Sequence, residues 1–207
     1  GPLITELAIS PSGQFLAAQE GELDTTIALW DLGSNERRIV GRNTTGMGGF
    51  TADGSALILG NSDLGVDIVS LGTGEIRPLE NARGRLLGNA NAGATILLGN
   101  RLGENITLTV WDVATSSEVA SWSSEQRGTS VGLAGRELST QGELLAVSLF
   151  WLSGEEPRDV LIVWDVTSKT ERFRRIDVGR ARALKFSQDG SRLAIGGPGI
   201  DTRIIDT

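Results

Sequence analysis

One short stretch recurs along this chain and limits what it can fold into. Ile27-Ala28-Leu29-Trp30-Asp31-Leu32 is an apolar run ending in Trp-Asp. It returns as Leu108-Thr109-Val110-Trp111-Asp112-Val113 and as Leu161-Ile162-Val163-Trp164-Asp165-Val166. Two weaker copies lack tryptophan: Val66-Asp67-Ile68-Val69-Ser70-Leu71 and Thr202-Arg203-Ile204-Ile205-Asp206-Thr207. The tryptophan position falls at 30, 69, 111, 164 and 205, giving spacings of 39, 42, 53 and 41 residues. Each run is too short for a helix with a core-facing stripe. Both of its faces are apolar, which suits a strand buried on both sides.

Short strands returning at about 40 residues are the signature of a β-propeller with about four strands per blade. Each unit divides in the same way. An apolar strand such as Leu7-Ala8-Ile9-Ser10 or Ala183-Leu184-Lys185-Phe186-Ser187 leads into a glycine-bearing turn, as in Ser10-Pro11-Ser12-Gly13 or Thr51-Ala52-Asp53-Gly54. A second strand follows, then the Trp-Asp strand, then a more charged outer strand such as Arg172-Phe173-Arg174-Arg175-Ile176. The pattern predicts an all-β chain, a single propeller region over 1–207. Its repeats are expected at about 3–42, 43–82, 83–124, 125–178 and 179–207, the last without its fourth strand. Gly1-Pro2 reads as the scar of a protease site and stands outside the repeats.

Ser10-Pro11-Ser12-Gly13, then Asp24-Thr25-Thr26-Ile27-Ala28-Leu29-Trp30-Asp31, and the Val-Trp-Asp-Val runs at 110–113 and 163–166 resemble the WD-repeat β-propeller family. The resemblance covers nearly the whole chain. It implies a rigid, non-catalytic scaffold that presents loops to protein partners. In that family a histidine ahead of the first strand bonds an aspartate six residues before the tryptophan. Asp24 and Asp63 hold that position here and Asn105 replaces it in the third unit, but the chain has no histidine. A buried carboxylate without a partner is costly, so these residues are expected to accept bonds from turn N–H groups instead. Trp30, Trp111 and Trp164, with Asp31, Asp112 and Asp165, are expected to form the repeated structural core.

Composition narrows the chemistry. The absence of cysteine removes disulfides, thiolate catalysis and cysteine metal sites, and the absence of histidine removes the commonest general base and transition-metal ligand. A net charge of −7 argues against a nucleic-acid partner and favours solubility. No apolar run reaches the roughly 20 residues that span a bilayer, so no membrane association is expected, and no export signal is visible, which points to the cytoplasm. Gly46-Met47-Gly48-Gly49 and Gly72-Thr73-Gly74 precede no helix and read as turn glycines rather than a phosphate cradle. The aspartates at 31, 112, 165 and 206 recur once per unit, which predicts turn capping, whereas a catalytic residue would occur once. The expectation is neither an enzyme nor a cofactor-bearing protein.

Two features suit recognition. The fourth unit carries the long loop Phe150-Trp151-Leu152-Ser153-Gly154-Glu155-Glu156-Pro157-Arg158, in which Trp151 resembles an interface anchor rimmed by Glu155, Glu156 and Arg158; the alternative is a local cluster of Phe150 and Trp151. The arc from Lys169 to Arg192 holds eight basic residues, Arg172 and Arg174 among them, against Glu171, Asp177 and Asp189. It reads either as a solvated outer strand or as a surface for an acidic partner. Alternative functions are a sensing domain attached to an effector in a longer protein, and a propeller lectin or glycosidase. Because the count of strands stops at 19, the repeats predict an arc of a larger propeller. Its last edge, at Arg203-Ile204-Ile205, would be open to strand addition or oligomerisation.

Overall fold

Nineteen β-strands and no α-helix make up the described part of the chain, residues 3–21, 25–90, 93–102, 105–124, 131–151, 159–176 and 178–207 of a computed structural model, with backbone alone at 102 and 151. The first sheet is β1 (Ile4–Ile9), β2 (Phe15–Glu20), β3 (Thr26–Asp31) and β4 (Arg37–Arg42). The second is β5 (Gly46–Phe50), β6 (Ala56–Gly60), β7 (Gly65–Ser70) and β8 (Ile76–Arg83). The third is β9 (Arg85–Ala90), β10 (Thr95–Leu102), β11 (Asn105–Asp112) and β12 (Ser117–Ser123). The fourth is β13 (Val131–Leu138), β14 (Leu144–Trp151), β15 (Asp159–Asp165) and β16 (Thr170–Ile176), and the fifth is β17 (Ala183–Phe186), β18 (Arg192–Gly197) and β19 (Ile200–Asp206). Strands follow sequence order within every sheet. No helix of the described residues is long and apolar enough to cross a membrane.

A single turn chemistry joins the first two strands in four of the five sheets. A Ser or Thr begins the turn and its carbonyl accepts the N–H of a glycine three residues on: Gly13 from Ser10 at 2.8 Å, Gly54 from Thr51, Gly142 from Ser139 and Gly190 from Ser187. The same residue's hydroxyl accepts the N–H five residues on, where the second strand starts: Phe15, Ala56, Leu144 and Arg192, at 2.9 to 3.1 Å. These glycines have φ of 69° to 76°, a conformation that side chains disfavour. Ser/Thr-x-x-Gly therefore closes each hairpin with two bonds from one residue. The third and fourth strands pair through a register shift at Ile27/Ala28, Gly65/Asp67 and Val163/Trp164, a bulge that increases the twist of the outer strand.

The described residues pack as two compact units, Gly1–Leu98 with Trp111–Ser117 and Gly99–Val110 with Glu118–Thr207. In the first, β6 is buried on both faces. Leu57 and Leu59 point into a cluster with Ala17, Ile27, Leu29 and Phe50, while Ala56 and Ile58 point into one with Ile96, Leu98 and Trp111. In the second, Ala146, Leu161 and Val163 pack on Leu184, Phe186, Leu193 and Ile205.

Three expectations need correction. Gly46-Met47-Gly48-Gly49 is not a turn; it is β5, bulged between Met47 and Gly49. A Cβ on Gly48 would lie 3.1 Å from both Ile58 and Leu86, so glycine here serves close packing. The fifth Trp-Asp-like run is not buried on both faces, because Ile205 is buried while Ile204 is 69% exposed. Trp111 and Trp164 are buried, but Trp30 is only half-buried. The Arg37 guanidinium lies 5.2 Å from the Trp30 ring centroid and pairs with the buried Glu20 carboxylate at 2.7 Å.

Candidate functional site

The recurring aspartates bond their own turns. Asp31 Oδ1 accepts the N–H of Gly33 at 2.8 Å and of Ser34 at 3.1 Å. Asp112 Oδ1 accepts the Thr115 N–H at 2.7 Å and its hydroxyl at 2.8 Å, and Asp165 Oδ1 accepts the Ser168 N–H at 2.8 Å. Bonds donated to a carboxylate favour its charged form, so all three titrate below the ordinary range, mainly through the N–H groups of Ser34, Thr115 and Ser168. In the second sheet Ser70 stands at this position and its hydroxyl accepts the Thr73 N–H. The aspartate of the fifth sheet, Asp206, is exposed and faces Arg192 at 3.6 Å.

A second pair of carboxylates is held more tightly. Asp53 accepts the Thr51 hydroxyl at 2.7 Å and the Ser55 N–H at 3.0 Å; Asp189 accepts the Ser187 hydroxyl at 2.6 Å and the Ser191 N–H at 3.1 Å. The first-turn hydroxyls are the main cause of pKa values lowered from 3.8 to about 2 in both. A folded-state pKa below the unfolded one stabilises the protein at every pH above the unfolded value, and that stabilisation is lost as pH falls through the folded value. The melting temperature is therefore expected to be flat on the neutral side and to fall between pH 3.8 and about 2. Asp53→Asn with Asp189→Asn should lower the neutral plateau and flatten the acid limb. Calorimetric melts across that range check this, and an unchanged limb in the double variant would contradict it.

The remaining sequence candidates do not converge. Asp63 is exposed, and its carboxylate does not hold the turn; its own N–H donates to Asn61 Oδ1 at 3.1 Å. Asn61 does the work expected of Asp63, since Oδ1 also accepts the Gly65 N–H at 2.9 Å and Nδ2 donates to Asp67. An amide can accept and donate at once, which a carboxylate cannot. Asn105 is exposed. Asp24, Glu155, Glu156, Arg158 and the side chain of Trp151 lie outside the described residues.

The basic arc is not one patch. Lys185 pairs with Glu137 at 2.5 Å, Arg192 with Asp206 at 3.6 Å and Arg180 with Asp159 at 3.9 Å, while Arg180 also stacks on Phe150. Arg172 lines a cavity of about 440 Å³ with Asp165 and Asp189. Arg174 pairs with Glu171 at 2.7 Å and lines a different cavity, of about 620 Å³.

That second cavity is a groove. The half-buried Trp122 of β12, flanked by Ser121 and Ser123, forms one side. Leu149, Ile162 and Trp164 of β14 and β15 form the floor, and Lys169, Glu171 and Arg174 form the other side. Strand alternation explains the grouping. Ile162 is in register with Arg174 and Trp164 with Glu171, so apolar floor and charged rim share one face of the fourth sheet. β12 and β16 are the last strands of their sheets, so each presents a backbone edge without a strand partner among the described residues. Nothing in the sequence around Trp122 signals Trp164, 42 residues on, as its neighbour.

No protein-family model matches the chain, and no curated protein sequence does. Solved structures do. Hydrazine synthase of Kuenenia stuttgartiensis is similar over 98% of this chain and 64% of its own, with a TM-score of 0.71 at 16% identity. A chain of the mitotic checkpoint complex gives a TM-score of 0.68 at 18% identity over 98% of this chain and 60% of its own. The fold is a β-propeller. TolB from Acinetobacter baumannii agrees, with a TM-score of 0.63 at 15% identity over 99% of this chain. The propeller chain spans about half to two thirds of the length of these structures, 52% of TolB and 64% of the hydrazine synthase chain. At these identities the likeness shows architecture alone. Among the described residues of the propeller, no three acidic side chains group as a metal site.

Proposed function

We propose that this propeller is a non-catalytic binding module of the WD-repeat type, which holds a polypeptide partner against the outer strands and loops of its sheets. The observation that supports the reading is where the recurring polar groups go. Asp31, Asp112 and Asp165 bond the turn that follows them, and Asp53 and Asp189 bond the hairpin turn that contains them. These carboxylates rigidify connections, which pre-organises the surface between them and lowers the ordering cost of association. The Trp122–Trp164 groove offers the combination of aromatic surface and charged rim that suits protein contacts.

The test is in-cell crosslinking followed by reconstitution with the recovered partner. The expected result is a stoichiometric complex by light scattering, with the partner's mass unchanged after prolonged incubation. Failure to form any polypeptide complex, or a partner recovered with a broken or newly formed covalent bond, would overturn the reading.

A further inference from the structure

The groove beside Trp122 differs from the other outer strands in a way that identifies its occupant. Each turn from the third to the fourth strand has a left-handed residue five positions after the Trp site. It is Asn35 in the first sheet, Gly74 in the second, Ser116 in the third and Lys169 in the fourth. Asparagine and glycine suit that conformation, whereas Ser116 and Lys169 both carry the Cβ cost of it, and of the four only Lys169 brings a long cationic side chain to the position. Strain of this kind at a groove is a reason to look for function. Lys169 forms no ion pair among the described residues, although Glu171 lies two residues away and is bound to Arg174. It leaves an ammonium at the rim of an opening floored by indole and aliphatic side chains.

Charge points the same way. The rim of the groove carries Lys169 and Arg174 against Glu171, a net positive edge within a protein of net charge −7. The surroundings repel acidic partners while this one strand attracts them, so complementarity locates the contact. Resting on the binding-module reading, we infer that the groove between Trp122 and Lys169 binds an extended acidic peptide segment of a partner protein. The segment inserts one aromatic or large aliphatic side chain between Trp122 and Trp164 and lays carboxylates against Lys169 and Arg174. The free edges of β12 and β16 give its backbone a place to hydrogen-bond.

The probe is a fluorescein-labelled peptide, Glu-Asp-Glu-Leu-Phe-Glu-Asp-Glu, compared with a peptide of the same length in which every acid is replaced by lysine, by anisotropy at low and high salt. The acidic peptide is expected to bind saturably, with affinity falling as salt rises, and the basic one not to bind. Lys169→Glu should weaken binding at least about tenfold, whereas Arg203→Glu, the same charge change on exposed β19, should change it less than about twofold. Trp122→Ala should also weaken it about tenfold, and Lys169→Glu keeps the test valid if that variant folds poorly. Absence of saturable binding, equal binding of the basic peptide, or equal losses from Lys169→Glu and Arg203→Glu would overturn the inference. A recovered partner that binds Lys169→Glu as well as the parent also overturns the groove assignment while leaving the binding-module reading standing. Failure to recover any polypeptide partner removes that reading by itself.

Discussion

Trp111→Ala is expected to destabilise the propeller by about 3–5 kcal/mol, the range for deleting a buried aromatic. The indole is 8% exposed and sits among Ile58, Ile68, Ile96, Leu98 and Val113. For a chain of this size the loss corresponds to a fall of roughly 10 °C in melting temperature. Trp164→Ala should behave alike, since that ring is 5% exposed. Trp30→Ala should cost only about 1–2 kcal/mol, because the residue is only half-buried and the Arg37 stack contributes well under half of a core burial. A finer contrast comes from the Trp111 Nε1–H, which is buried without an acceptor among the described residues. A buried unmade bond costs about 1–3 kcal/mol, so Trp111→Phe removes a penalty along with some contact area and should lose far less than the alanine variant. Urea unfolding of the four variants checks the order. Equal losses at Trp30 and Trp111 would show that these rings are buried alike.

The same contrast shows how far the sequence is legible. A strand buried on both faces must be apolar at successive positions, so Ala28-Leu29, Val110-Trp111 and Ile162-Val163 are visible without any structure. The hairpin turns are visible because one residue, Ser or Thr, must both accept the glycine N–H and anchor the next strand. β5 is hidden. Gly46, Gly48 and Gly49 carry no side chain to pattern, and glycine chosen for close packing against Ile58 and Leu86 looks the same in sequence as glycine chosen to turn. Asn61 is hidden because the amide and the carboxylate at Asp63 are two residues apart in one turn, and only geometry says which holds it. The basic arc fails for a different reason: Lys185 is neutralised by Glu137, 48 residues away, and Arg192 by Asp206. The candidate groove was the least legible, since it exists only where Trp122 of one sheet meets the face of another.

Gly135→Ala is expected to destabilise the propeller by about 2–3 kcal/mol, although alanine is the better residue for an unfolded chain to lose. Gly135 lies in β13 at a register shift, opposite Ser148. A Cβ there would overlap the carbonyl oxygen of Ala181, and a Cβ on Gly197 of β18 would overlap the carbonyl oxygen of Arg180. The segment around the fully buried Ala181 therefore runs between two glycines and cannot retreat from one without meeting the other. Neither glycine has a positive φ, so the cost is one of space and not of backbone conformation. Gly72→Ala is the control. It also lacks positive φ, nothing lies within 4 Å of its added Cβ, and it should be neutral or stabilising by up to about 1 kcal/mol through the unfolded state. Gly197→Ala should match Gly135→Ala. The double variant should cost more than the sum, because a segment displaced by the first methyl is pushed toward the second. Additive losses would mean that the two glycines act on separate structure, and a loss at Gly135 below about 0.5 kcal/mol would mean that the 180–182 backbone does not pass over it.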